Sequence, residues 1–236
     1  MAAMKSLAAN QSSGFWQAVA KRALVLFLWL VVQALAFFAA AGAFGWQAWL
    51  YFGLSAAMLC VNFVVFLKLA PEIIRERSEV KPGTKSWDKL ISAGYAAAMM
   101  VLPFVAGLDA KLGWSSLGTE WVAVGVVLFA ASDLFIDWAM VANKFFQLTA
   151  RVESKQKTVS TGPYAIVRHP GYAAMIAMNA AAPLILGSAY ALIPAAAIAV
   201  LLVARTSLED EMLQKELSGY KQYVKKTRYR LVPGVW

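Results

Sequence analysis

The chain has one cysteine, Cys60, and one histidine, His169, among its 236 residues. A single thiol rules out an intrachain disulfide framework. One thiol and one imidazole also remove the multi-His and Cys-rich sets that hold zinc. Charge is scarce as well: Asp, Glu, Lys and Arg make up 15% of the residues, against 61% hydrophobic. A soluble domain of this length would carry charge over its whole surface, so the scarcity points to lipid as the surrounding solvent. Acidic residues are the rarer sign, 13 against 22 basic, which leaves a net charge of +9. A basic balance can signal nucleic acid. Here the basic residues sit at the ends of long apolar runs, where they orient a chain in a membrane and meet anionic lipid, and no nucleic-acid partner is expected.

The apolar runs set the architecture. No charged residue occurs from Ala23 to Leu67, a stretch long enough for two crossings of about 20 residues each. Gly42 and Gly45 mark the turn between them, with Trp46 and Trp49 suited to the interface beside it. The run after Arg22 is too long for a signal-peptide core and reads as a retained first span. Asn62 is a polar exception that calls for a hydrogen bond to a neighbouring helix. Ile91–Leu108 makes a third span, with Pro103 as a kink, and roughly Glu120–Ala142 a fourth. The fourth carries Asp133 and Asp137 one helical turn apart, on one face. They either line a cavity, pair with neighbouring helices, or sit near the cytoplasmic headgroups. Gly171–Ala204 is again free of charge, with Gly187-Ser188 near its middle. Two short helices forming a hairpin fit this stretch; one long kinked helix would exceed a hydrocarbon core of about 30 Å.

The expected fold is therefore an all-α polytopic bundle of about six transmembrane helices, with a helical hairpin near the C-terminus and a cytoplasmic C-terminal helix. Six crossings leave every Lys and Arg except Lys111 on one side. The positive-inside rule makes that side cytoplasmic and places both termini there, in a membrane most simply read as a bacterial inner membrane.

Three polar segments on that side could carry chemistry. Pro71-Glu72-Ile73-Ile74-Arg75-Glu76-Arg77 reads as an amphipathic helix opened by proline, followed by a turn at Lys81-Pro82-Gly83-Thr84-Lys85 and by Trp87-Asp88 at the next span. Thr158–Tyr172, TVSTGPYAIVRHPGY, breaks at Gly162-Pro163 and puts Arg168 and His169 where the chain re-enters the membrane. Arg168 could simply anchor that junction. After the hairpin, Arg205 and Glu209 stand four apart on one helical face, where an intrahelical ion pair would suffice. Leu213, Leu217, Tyr220 and Tyr223 continue an apolar edge beyond them.

Taken together, the order is Gly-Pro-Tyr, four residues, Arg-His-Pro-x-Tyr, an apolar hairpin, Arg-x-x-x-Glu-Asp-x-x-Leu and Gly-Tyr-x-x-Tyr. It resembles the isoprenylcysteine carboxyl methyltransferase family and the related phospholipid N-methyltransferases, most strongly over Asn143–Trp236. The resemblance implies a methyltransferase core at 143–236, behind a four-span membrane region at 1–142 with a cytoplasmic loop at about 68–90. It implies S-adenosyl-L-methionine as cofactor and a lipophilic or lipid-linked acceptor such as a prenylcysteine-like carboxylate. Carried over residue by residue, the cofactor-binding positions are Gln156, Lys157, Thr158, Val159, Tyr164, His169, Pro170, Gly171, Tyr172, Glu209 and Asp210. Arg205 becomes the catalytic residue facing the acceptor. Eukaryotic members often have histidine where Gln156 stands, and Asp210 replaces a more usual Glu.

The chemistry agrees with that assignment. Methyl transfer from a sulfonium needs alignment and desolvation more than a base, and an arginine fork suits a carboxylate. Tyrosine faces can stabilise a sulfonium by roughly 0.5–2 kcal/mol. The competing classes are a non-enzymatic transporter or scaffold, favoured by Asp133 and Asp137, and a membrane sterol-type reductase, for which no Gly-rich dinucleotide fingerprint occurs.

Overall fold

A computed structural model describes residues 2–76, 83–146, 149–153 and 156–236, with side chains from residue 14 onward except Arg75 and Glu76. Its described elements are helices: α1 (Ala2–Ala41), α2 (Trp46–Leu69), α3 (Pro71–Glu76), α4 (Ser86–Leu112), α5 (Thr119–Ala142), a single 3-10 turn (Gly162–Ala165), α6 (Pro170–Leu186), α7 (Leu192–Glu216) and α8 (Tyr220–Lys226). The expected α3 is present. Arg77 and the Lys81-Pro82 part of the expected turn lie outside the described residues.

Five helices are long and apolar enough to cross a bilayer: Gly14–Ala41 within α1, then α2, α4, α5 and α7. The sixth apolar helix, α6, has 17 residues, about 26 Å at 1.5 Å per residue, slightly less than a hydrocarbon core of about 30 Å. Large apolar side chains such as Phe27, Val127, Ile193 and Val200 face outward. Water would penalise so much apolar surface, whereas lipid accepts it. The chain is an integral, multi-pass membrane protein.

Packing follows from small residues. In lipid no hydrophobic drive pulls helices together, so close backbone approach matters more. A Cβ at Gly107 would come within 2.5 Å of the Phe37 carbonyl oxygen, and one at Gly125 within 2.9 Å of Ile185 and Leu184. These glycines let α4 sit against α1 and α5 against α6, two of the most extensive contacts in the bundle. The core between them is built from Phe37, Phe52, Leu102, Phe129, Ile185, Ile198 and Leu202.

The 171–204 stretch is a hairpin, broken after Leu186 at the expected Gly187-Ser188. Its turn is tied to the end of α4 through the buried Asp109. That carboxylate accepts from the Ser115 amide (2.7 Å), the Ser115 hydroxyl (2.5 Å) and the Ser188 hydroxyl (2.5 Å). Asn62 meets its expected partner across helices, its Nδ2 donating to Asp133 Oδ1 at 3.3 Å.

The C-terminal region differs in detail from the sequence reading. The second hairpin arm does not stop where charge begins at Arg205; α7 runs on without a break to Glu216. The apolar edge Leu213, Leu217, Tyr220, Tyr223 is not one helix either. It breaks at Gly219, whose φ of 81° is a left-handed conformation natural to glycine. The break folds α8 back, so all four side chains are buried in one cluster with Tyr164 and Met212.

Candidate active site

The part of α7 from Arg205 to Asp210 is where the polar segments meet. Arg205 is almost fully buried. Its guanidinium Nε lies 2.8 Å from Asp88 Oδ1 at the start of α4, and its Cζ lies 5.3 Å from the centre of the Tyr172 ring. Asp88, wholly buried, also accepts the Ala150 amide at 2.9 Å. One carboxylate thus holds both the loop after α5 and the arginine. Beyond the i,i+4 spacing of Arg205 and Glu209 on α7, each makes a longer-range contact. Glu209 accepts a 2.5 Å hydrogen bond from the Tyr172 hydroxyl. Tyr172 therefore touches a cation with its ring and an anion with its hydroxyl, one helical turn apart on α7.

Asp210 points elsewhere and is saturated. Arg168 grips it with two bonds, Nε to Oδ1 at 2.8 Å and an Nη to Oδ2 at 3.0 Å. The Tyr220 hydroxyl donates at 3.0 Å, Gln214 at 2.9 Å and Arg230 at 3.1 Å, and His169 Nε2 lies 3.2 Å away. Arg168, read from sequence as a possible junction anchor, is buried and also caps the Thr227 and Arg228 carbonyls. Arg168 and His169 pair their backbone amides with the Tyr229 and Arg230 carbonyls, each at 2.9 Å. The terminal segment is stitched to the re-entry loop in this way.

The remaining expected positions surround the same stretch of α7. Tyr164 is buried in the 3-10 turn, its hydroxyl accepting from Asn143 at 3.1 Å and its carbonyl from Tyr223 at 2.6 Å. Burial pushes the Tyr164 phenol well above its ordinary range. The nearby Glu209 charge pushes the same way, while the Asn143 hydrogen bond partly opposes it. Tyr164 and Glu209 are therefore electrostatic neighbours. The His169 ring stacks on Tyr172 with centroids 5.9 Å apart. Pro170 and Gly171 form the first turn of α6, where Gly171 packs against Phe146. Further out, Gln156 accepts the Glu153 amide at 3.1 Å, Thr158 donates to the Ser218 carbonyl at 3.0 Å, Val159 joins the Tyr164 cluster, and Lys157 is exposed. The structure thus gathers Tyr164, His169, Tyr172, Arg205, Glu209 and Asp210, with 156–159 at the periphery.

Asp88, Arg168, Tyr220 and Arg230 are the residues that sequence reasoning did not single out as part of the site. Asp88 offered one signal, a carboxylate at the mouth of a span.

Residues 123–215 match the sequence profile of the isoprenylcysteine carboxyl methyltransferase (ICMT) family. No curated protein is a significant match by sequence. Among solved structures, the chain is similar to the eukaryotic intramembrane Ras methyltransferase ICMT, at 16% identity and a TM-score of 0.55. That likeness covers 92% of this chain and 77% of the other, and it extends to the fold.

Proposed function

We propose that this chain, a member of the isoprenylcysteine carboxyl methyltransferase family over residues 123–215, is a membrane methyltransferase that uses S-adenosyl-L-methionine to modify a carboxylate on a lipophilic, prenylcysteine-like acceptor. The observation that carries the reading is the Arg205–Tyr172–Glu209 arrangement. It sets a guanidinium, an aromatic ring and a carboxylate side by side at the end of an apolar hairpin.

The donor set fits the cofactor chemically. S-adenosyl-L-methionine supplies an electrophilic methyl group on a sulfonium and carries an ammonium and a carboxylate. Glu209, half-buried and held by one tyrosine hydroxyl, keeps acceptor capacity for an ammonium. Tyr164, His169 and Tyr172 provide aromatic surface for a sulfonium, and the backbone at Pro170-Gly171 with the 156–159 segment completes the enclosure. Arg205 binds the acceptor carboxylate, with Asp88 and Tyr172 fixing the guanidinium plane. A carboxylate acceptor is already a nucleophile, so the site needs no general base. Asp210 serves the cofactor indirectly, by fastening the re-entry loop and the terminal segment to α7. The soluble cofactor enters from the cytoplasm, where both termini lie, and the acceptor tail enters from the lipid of a bacterial inner membrane.

The test is to incubate the full chain with methyl-labelled S-adenosyl-L-methionine and lipid extract, and to follow label by mass spectrometry. A labelled methyl ester in the lipid fraction is the expected product. Label confined to the aqueous phase, at wild-type protein levels, would refute the assignment.

A further inference from the structure

A second polar feature lies outside this machinery. A cavity of about 140 Å³ opens between α1, α2, α3 and α5, and it shares no lining residue with the Arg205–Asp210 cluster. Its walls are mostly apolar, Phe63, Ile74 and Met140 among them, but Arg22, Asn62 and Asp137 also face it. Asp137 is 4% exposed, and among the described residues neither of its carboxylate oxygens has a hydrogen-bond partner. Asp133, one turn away, takes the Asn62 amide and leaves its other oxygen unbonded, as is the Asn62 carbonyl oxygen. Buried polar atoms in native proteins are nearly always satisfied. A carboxyl without partners in hydrocarbon surroundings is costly in either protonation state. Asp137 lines an open volume, so the missing donor has room to arrive from outside the chain.

The chemistry of that donor can be read from the walls. Asp137 asks for N–H groups, and a cationic donor pairs best. Half-buried Arg22 presents a cation to the same cavity, which asks for an anion. The apolar lining and the surrounding bilayer ask for a ligand already in the membrane. A cavity of this size takes up about six non-hydrogen atoms, as a benzene-sized cavity does. An ammonium and a phosphate on one headgroup, carried on acyl chains, meet all three demands. We infer that the cavity is a headgroup site for an ethanolamine phospholipid, with its ammonium on Asp137 and its phosphate on Arg22.

Binding can be read with the full chain in neutral-detergent micelles, using fluorescent short-chain phosphatidylethanolamine, the matching phosphatidylcholine and hexadecylamine as probes. Phosphatidylcholine keeps the phosphate but has no N–H to give. The ethanolamine lipid should bind roughly ten-fold tighter than the choline lipid, and Asp137→Asn should abolish that preference. Arg22→Gln should weaken both phospholipids alike and leave hexadecylamine unchanged. Equal binding of the two phospholipids to the wild-type chain would overturn the inference, and this comparison depends on no variant folding. An Asp137→Asn chain that kept the full preference would overturn it too. If Arg22→Gln left both phospholipids unchanged, the site would serve amines at large and the phosphate half of the assignment would fall.

Discussion

Replacing Asp210 with alanine removes one carboxylate but disconnects four segments at once. Arg168 and His169 of the re-entry loop, Gln214 of α7, Tyr220 of α8 and Arg230 of the terminal stretch all converge on it. Asp210 and Arg168 are both buried, so the variant strands a guanidinium with no counter-charge and little water. Breaking a buried ion pair from one side costs about 3–5 kcal/mol. At about 2–4 °C per kcal/mol for a chain of this size, the apparent Tm in detergent should fall by about 6–20 °C. Asp210→Asn keeps the shape and two hydrogen-bonding groups, so its loss should be smaller, about 1.5–3 kcal/mol. Near-UV circular dichroism is the suitable readout, because Tyr220 and Tyr223 pack at this junction with ring centroids 5.4 Å apart and their asymmetry should vanish with it. An Asp210→Ala chain melting within about 1 °C of wild type would refute the view that this carboxylate fastens the terminal segment.

Other outcomes follow from named contacts. Asp88→Asn should lower turnover by at least about ten-fold through a loosened Arg205 while leaving cofactor affinity within about two-fold; equal losses in both would contradict a positioning role. Gly125→Val places a Cβ 2.9 Å from Ile185 and Leu184 and 3.0 Å from the Ala181 carbonyl, so overpacking should cost about 1–3 kcal/mol in thermal stability. Asp109→Ala should destabilise the α4 to hairpin junction, by the loss of the Ser115 and Ser188 contacts, with cofactor affinity unchanged in a titration. Burial and, for Tyr220, the adjacent Asp210 charge hold the phenols of Tyr164, Tyr220 and Tyr223 above their ordinary value of 10.0. Their contribution to stability is therefore complete below pH 10 and lost as pH rises beyond it. Ultraviolet titration should show these tyrosines ionising only on alkaline unfolding, and normal titration of all eight in the folded chain would contradict their burial.

The spans were legible because charge in hydrocarbon is expensive: Ala23–Leu67 and Gly171–Ala204 announce themselves by what they omit. The hairpin break at Gly187-Ser188 and the Asn62 contact were readable for the same reason, as exceptions inside apolar runs. The end of α7 was not. Charges begin at Arg205, yet Asp88 and Tyr172 cover Arg205 and Arg168 covers Asp210, so one face of the helix stays inside the protein while Glu211, Lys215 and Glu216 lie exposed on the other. The partners of Arg205 and Asp210 were hidden too. An i,i+4 pair is visible in a sequence, whereas Asp88 reaches Arg205 across about half of the chain. The cluster Tyr164, His169, Tyr172, Arg205 and Glu209 was named from the motif order, but its division of labour was not legible. Only geometry separates Glu209, held by one hydroxyl, from Asp210, held on every side.

In the proposed function the re-entry loop and the end of α7 enclose one cationic cofactor against Glu209. Calorimetric titration of the purified full chain with S-adenosyl-L-methionine tests it most directly. Saturable binding to the wild type is expected, with its loss in Glu209→Ala and its retention in Arg205→Ala despite impaired turnover. No heat of binding to the wild type at millimolar cofactor would contradict it, as would a Glu209→Ala chain that binds normally.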